Sequence, residues 1–238
     1  SAVRDVWEAF RAYARTAPDA VSVIFGIDRG RPDAGYPPEL AGRPIVTIAW
    51  NHSGAADDVE RDTTARLGGP KPIATTIGSQ PYLEVQTAHD LVLGWGRRSS
   101  IMSCNVVDLD PGVFDELVEL VATAPGEGTF SATALGGAIA RVPDEATAYL
   151  GREATFDVSG DASWDDPALD EANRAWARRV IDLVRPEPTL GGYSNGTAEA
   201  GPDETRAIYG ETKLARLVAL KRAWDPDNVF HVNHNVAP

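Results

Sequence analysis

The chain predicts an α+β domain in which an antiparallel sheet carries helices on one face. Three observations lead there. Amphipathic helical stretches and short β-rich runs recur as helix, strand, strand, helix in two successive stretches, and that alternation suits a sheet with helices on one side. The composition, 43% hydrophobic and 24% charged over 238 residues, is that of a chain able to bury its own core. No apolar run approaches the roughly 20 residues of a membrane span.

Val3, Val6, Trp7, Phe10 and Tyr13 recur at helical spacing and predict a first helix ending near Thr16-Ala17-Pro18. Val21 to Gly26 reads as a strand, 28–43 as a loop, and Pro44 to Trp50 as the next strand. Asp57 to Leu67 reads as a helix with Asp57, Asp58 and Glu60 at its positive end and Gly68-Gly69-Pro70 as its stop. Pro81 to Gly94 stays open between helix and loop. Arg97 to Val107 is partly extended, and Pro111 to Ala124 is a helix with Val113, Phe114, Leu117, Leu120 and Val121 on one side.

Thr129 to Leu135 is a strand interrupted by Gly136-Gly137, with Ala138 to Val142 expected to continue it. Thr147–Leu150 and Ala154–Val158 are then expected as a hairpin-like pair. A long helix follows Trp164-Asp165-Asp166-Pro167 and runs to Arg185, with Trp176 and Val180 inward and Arg174, Arg178 and Arg179 outward. A Pro/Gly-rich loop leads to one or two helices over Glu204 to Trp224. This divides the chain into 1–185 and 186–238.

Charge excludes some functions. Twenty-two basic against 35 acidic residues give −13, which argues against nucleic acid and against anionic lipid as partners. A single cysteine, Cys104, among Met102, Val106 and Val107, reads as a buried apolar residue and implies a reducing, cytoplasmic setting. His231 and His234 have no third ligand at metal-site spacing, so no metal is expected. The opening at Ser1, already inside an amphipathic helix, suggests the second half of something longer or a processed subunit.

The carboxyl end carries a more specific pattern. It comprises Gly192-Tyr193-Ser194-Asn195, Ile208-Tyr209-Gly210-Glu211, Arg216-Leu217 with Leu220-Lys221, Asp225-Pro226-Asp227-Asn228-Val229-Phe230, and Asn233-His234-Asn235-Val236-Ala237-Pro238. With Leu83-Glu84-Val85-Gln86, Arg98-Ser99-Ser100, Leu135-Gly136-Gly137 and Thr147-Ala148-Tyr149 in order upstream, this resembles the berberine-bridge-enzyme-like FAD oxidases. These sit within the vanillyl-alcohol-oxidase flavoprotein group. The resemblance implies a substrate domain plus a carboxyl-terminal segment that returns to an FAD-binding domain on a separate chain or a cleaved fragment. It also implies a small-molecule substrate that yields hydride, with electrons passing to O2 or another acceptor. By the same resemblance Tyr193, Asn195, Asn233 and Asn235 approach the flavin, the competing reading of Tyr-Ser-Asn-Gly being a turn with a buried tyrosine.

One departure stands out. Many members carry a tyrosine directly after the Asn as general base, and here that position is Gly196. A substitute base is available on the strand around Asp157, where period two places Thr155, Asp157 and Ser159 on one face. Asp157 falls where some plant members hold an acidic residue, and a carboxylate among apolar walls would have a raised pKa. The competing reading, a solvated strand face near Asp161, Asp165 and Asp166, is the preferred one at this level. Arg152 reads as a structural ion pair or a substrate contact, and Gln86 and Thr133 as pocket lining or backbone partners. The alternative to an enzyme is a ligand-binding domain that kept the scaffold and lost the base.

Overall fold

The computed structural model describes residues 2–31, 36–88, 90, 95–185, 190–198 and 201–238. Strands β1 (Val21–Arg29), β2 (Pro44–His52), β3 (Arg98–Val106), β4 (Glu127–Ala134) and β5 (Phe156–Trp164) form one sheet in the order β2-β1-β4-β5-β3. Every pairing is antiparallel. The α+β class expected from the sequence is the one observed.

Helices α1 (Ala2–Ala14), α2 (Phe114–Ala122) and α3 (Asp170–Val184) cover one face of this sheet. The spacing that predicts α1 buries Val3, Trp7, Phe10 and Tyr13. Trp7 is the hub of the core, with ring centroids 4.9 Å from Phe156, 5.0 Å from Phe114 and 5.3 Å from Phe25. Aromatic pairs at such spacings add about 0.5–1.5 kcal/mol each beyond area burial. Trp176 and Val180 of α3 point inward as expected. Helix α3 lies close on β5 because Gly160 has no side chain: a Cβ there would stand 2.8 Å from Cβ of Val180.

Two stretches differ from expectation. The helix over 57–67 is broken into two single turns, Val59–Asp62 and Thr64–Leu67, at Thr63 (φ −118°, ψ −95°). The carbonyl of Asp62 accepts from the Tyr13 hydroxyl at 2.6 Å and its carboxylate meets His52 at 3.3 Å, so local helix continuation yields to these tertiary partners. The expected strands over 138–142 and 147–150 are likewise absent. Gly136 (φ 111°) and Gly137 (φ 47°) adopt backbone that ends a strand, and Gly137–Ala140 is a helical turn.

Farther on, the carbonyls of Thr147 and Tyr149 accept from the ammonium of Lys213, which takes them out of any ladder. Lys213 lies on α4 (Pro202–Trp224), two helical segments joined at Gly210 (φ 65°). The open stretch after Pro81 holds a short helix, Tyr82–Thr87. Residues 89 and 91–94 of it lie outside the described residues.

Candidate functional site

The sheet face away from the core helices is polar near its β3 end. Register sets it out in cross-strand rows: Thr133, Asp157 and Asn105; then Ser131, Ser159 and Ser103; then Thr129, Asp161 and Ile101. This follows from period two, since Phe156 and Val158 go to the core and force Asp157 and Ser159 to the other side. Ser159 donates to Asp161 at 2.7 Å and shares a 2.8 Å hydrogen bond with Ser131.

Asp157 is half-buried, and its Oδ2 is buried with no hydrogen-bond partner. Burial, helped by the charge of Asp161, pushes its carboxyl up to about 7. Asp161 is pushed up to about 6 by burial, against the hydrogen bond from Ser159. The solvated face preferred from sequence is therefore corrected for Asp157, whose neighbours in the flanking strands shield it. Ser103 Oγ and Asn105 Oδ1, opposite Ser159 and Asp157, are also buried without partners. Each such group left without a partner costs about 1–3 kcal/mol, and these three lie together on one face.

The loop 190–198 runs along the outer edge of β3. The Asn105 amide donates to the Gly191 carbonyl at 3.0 Å, and the Ala198 amide to the Ile101 carbonyl at 2.7 Å. Tyr193 is 52% exposed, so the buried-tyrosine reading does not hold, and its hydroxyl accepts from the Asn195 amide at 3.0 Å. A Cβ on Gly196 would stand 2.8 Å from Ser103 Oγ, so a side chain there requires Ser103 to turn away.

The tail reaches the same edge. His234 Nε2 lies 3.3 Å from the Thr197 carbonyl, and its Nδ1 is buried without a partner. Asn235 has a buried, unpaired Oδ1. Asn233 is exposed in a turn of positive φ (58°) and its carbonyl accepts from the Asn235 amide at 2.9 Å.

The remaining candidates divide. Thr133 stands beside Asp157. Gln86 is exposed on the helix Tyr82–Thr87, where its amide donates to the Tyr82 hydroxyl at 2.7 Å, and no hydrogen bond among the described residues ties it to the polar face. Arg152 is engaged differently from the expected ion pair: it donates to the Ile139 carbonyl at 3.1 Å and the Thr147 hydroxyl at 2.8 Å, and lies 4.8 Å from the Tyr149 ring centroid. Its neighbours are the loop that replaces the expected strand. Cys104 is buried in the core, and burial pushes its thiol up to about 12, as suits an inert packing residue.

Sequence reasoning missed Tyr149, Asn105 and Lys213. Asn105 Nδ2 donates to the Tyr149 hydroxyl at 3.3 Å and to the Leu150 carbonyl at 3.1 Å. Lys213, 6% exposed, also reaches Asp144 Oδ1 at 3.0 Å. The signal for Asn105 was its place two residues from Ser103 on the same strand face.

Residues 192–237 match the family model described as berberine and berberine like. The chain is 34% identical to the uncharacterized FAD-linked oxidoreductase YvdP of Bacillus subtilis (strain 168) over 103 residues, 43% of this chain and 23% of that protein. It is 25% identical to (R)-6-hydroxynicotine oxidase of Paenarthrobacter nicotinovorans over 230 residues, 91% of this chain and 46% of that one. The crystal structure of aclacinomycin oxidoreductase shares the fold with a TM-score of 0.77 at 21% identity, over 100% of this chain and 52% of that one. The chain thus spans about half, or less, of the length of these proteins. Residues 192–237 thus carry a berberine-like domain, and the chain is similar to FAD-linked oxidoreductases over part of their length.

Proposed function

We propose that this chain is the substrate-domain half of an FAD-dependent oxidoreductase acting on a small organic substrate such as an alcohol, sugar, amine or secondary metabolite. Its partner is an FAD-binding domain, on another chain or another part of a longer one, and O2 or another acceptor takes the electrons. The lone, buried, free Cys104 supports a cytoplasmic setting. Among the described residues, no helix is long and apolar enough to cross a membrane.

The observation that carries this reading is the unpaired, buried Oδ2 of Asp157 in the middle of the polar face. Bound FAD supplies the hydride acceptor. A substrate that loses hydride from carbon becomes acidic at the attached oxygen or nitrogen, and Asp157, with an affinity for protons close to neutrality, takes that proton. Thr133, Asn105 and Ser159 orient the substrate on the sheet face.

The residues at the β3 edge fit a flavin. Tyr193 offers a half-exposed ring, and on the tail, which meets the same loop at Thr197, His234 Nδ1 and Asn235 Oδ1 remain unpaired. Tyr193, Asn195, Asn233 and Asn235 would therefore hold its ring system, with Asn233 setting the turn that presents Asn235. The full-length protein is expected to purify with a visible flavin spectrum. A preparation containing both halves that stays colourless and takes up no FAD rejects the reading.

A second reading is a ligand-binding domain without catalysis, favoured by one observation: Ser103 fills the space where a side chain at Gly196 would stand. A flavin-loaded protein reduced slowly by every alcohol, sugar and amine tried would support it.

A further inference from the structure

We infer that Tyr149 is a specificity-determining residue of this site, and that it works with Asp157 to select substrates carrying a hydroxyl group. The phenol O–H donates to the hydroxyl oxygen while Asp157 accepts the hydroxyl proton. This rests on the reading of the polar face as the substrate site.

The argument starts from Asn105. Its Nδ2 donates to the Tyr149 hydroxyl oxygen at 3.3 Å. An amide nitrogen cannot accept in return, so the phenol proton is directed to some other acceptor. Asn105 is also the cross-strand partner of Asp157, which brings the phenol and the carboxylate to one side chain.

Asp157 is near enough for its charge to act on the phenol. The other charge acting on it is Arg152, whose guanidinium lies 4.8 Å from the ring centroid. Burial is the largest influence and pushes the phenol up, so Tyr149 remains a donor through neutral pH. Its backbone is fixed as well, because the Lys213 ammonium on α4 binds the carbonyls of Tyr149 and Thr147.

A fixed donor beside a fixed acceptor is a pattern that a hydroxyl satisfies completely, since it both accepts and donates. A protonated amine only donates, and would leave the phenol proton unpaired. Discrimination follows from that mismatch, because a buried polar group without its partner opposes binding.

The test uses the full-length flavin-loaded protein with benzyl alcohol, glucose and benzylamine as probes. Tyr149→Phe is expected to raise the half-saturating alcohol or sugar concentration for flavin reduction about tenfold, as loss of one hydrogen bond predicts. Its effect on the limiting rate should be smaller, and the half-saturating benzylamine concentration should fall, because the phenol that the amine leaves unpaired is gone. An equal effect on alcohols and amine, no effect on either, or reduction by the amine and by neither hydroxyl compound overturns the inference.

A second readout needs no flavin. In protein labelled with 13C at tyrosine Cζ, the resonance lost in Tyr149→Phe should titrate at lower pH once Asp157→Asn removes the neighbouring charge. An unchanged titration overturns the pairing. Failure to take up flavin, in contrast, sinks the functional reading alone while this titration still decides the pairing.

Discussion

Asp157 and Asn105 stand opposite each other across the β3–β5 ladder, and each keeps one buried side-chain oxygen without a hydrogen-bond partner. Buried polar groups in folded proteins are nearly all paired. Two exceptions facing each other, with Ser103 Oγ two residues from Asn105 as a third, concentrate cost at one point of the sheet. Functional sites are where folds tolerate such cost.

That cost gives stability a definite pH dependence. Asp157 titrates at about 7 in the fold against 3.8 ordinarily, so folding is penalised once the group ionises. Stability is highest below the ordinary carboxylate pKa, falls as pH rises toward about 7, and is level above. Asp161, raised to about 6, acts in the same direction. Asp157→Asn removes the penalty. In urea titrations the variant should gain on the order of 2 kcal/mol over the parent near pH 8 and little near pH 4. A variant no more stable than the parent at the higher pH contradicts the burial of Asp157.

The ammonium of Lys213 gathers the loop that presents Tyr149. Replacing it with methionine keeps the bulk and strands the carbonyls of Asp144, Thr147 and Tyr149. Lys213→Met is expected to destabilise the fold by about 3 kcal/mol, since it takes the shared donor from three carbonyls at about 0.5–1.5 kcal/mol each. Amide hydrogen exchange should accelerate first over 144–150. Unchanged protection there would mean that the loop is held by something else.

Restoring a tyrosine at position 196 tests the close approach at Ser103. Gly196→Tyr alone should lower the melting temperature and loosen the 190–198 edge, since its Cβ would meet Ser103 Oγ at 2.8 Å. Adding Ser103→Gly should recover most of the loss. Independent, additive effects of the two substitutions would show that Ser103 does not close that position.

Much of the fold was legible because burial is periodic. Val3, Trp7 and Phe10 announce a helix, and Phe156 and Val158 against Asp157 and Ser159 announce a strand with one apolar face. The stretch 144–149 was not legible, since it is held by Lys213 more than 60 residues along the chain, and no local pattern carries that contact. Asp157 was found by its strand face, but its burial was misjudged. Shielding depends on which strands lie beside β5, and that register is a property of the sheet. Tyr149 was hidden by the strand expected around it, and Arg152, named from the sequence, found the Ile139 carbonyl and the Thr147 hydroxyl in place of an ion pair.

The central claim is that Asp157 takes the substrate proton, and stopped-flow reduction of the bound flavin tests it most directly. With a reducing substrate in hand, Asp157→Asn should leave the oxidised flavin spectrum unchanged and slow the limiting reduction rate by about a hundredfold or more, the usual contribution of a general base. A limiting rate equal to that of the parent would contradict the claim.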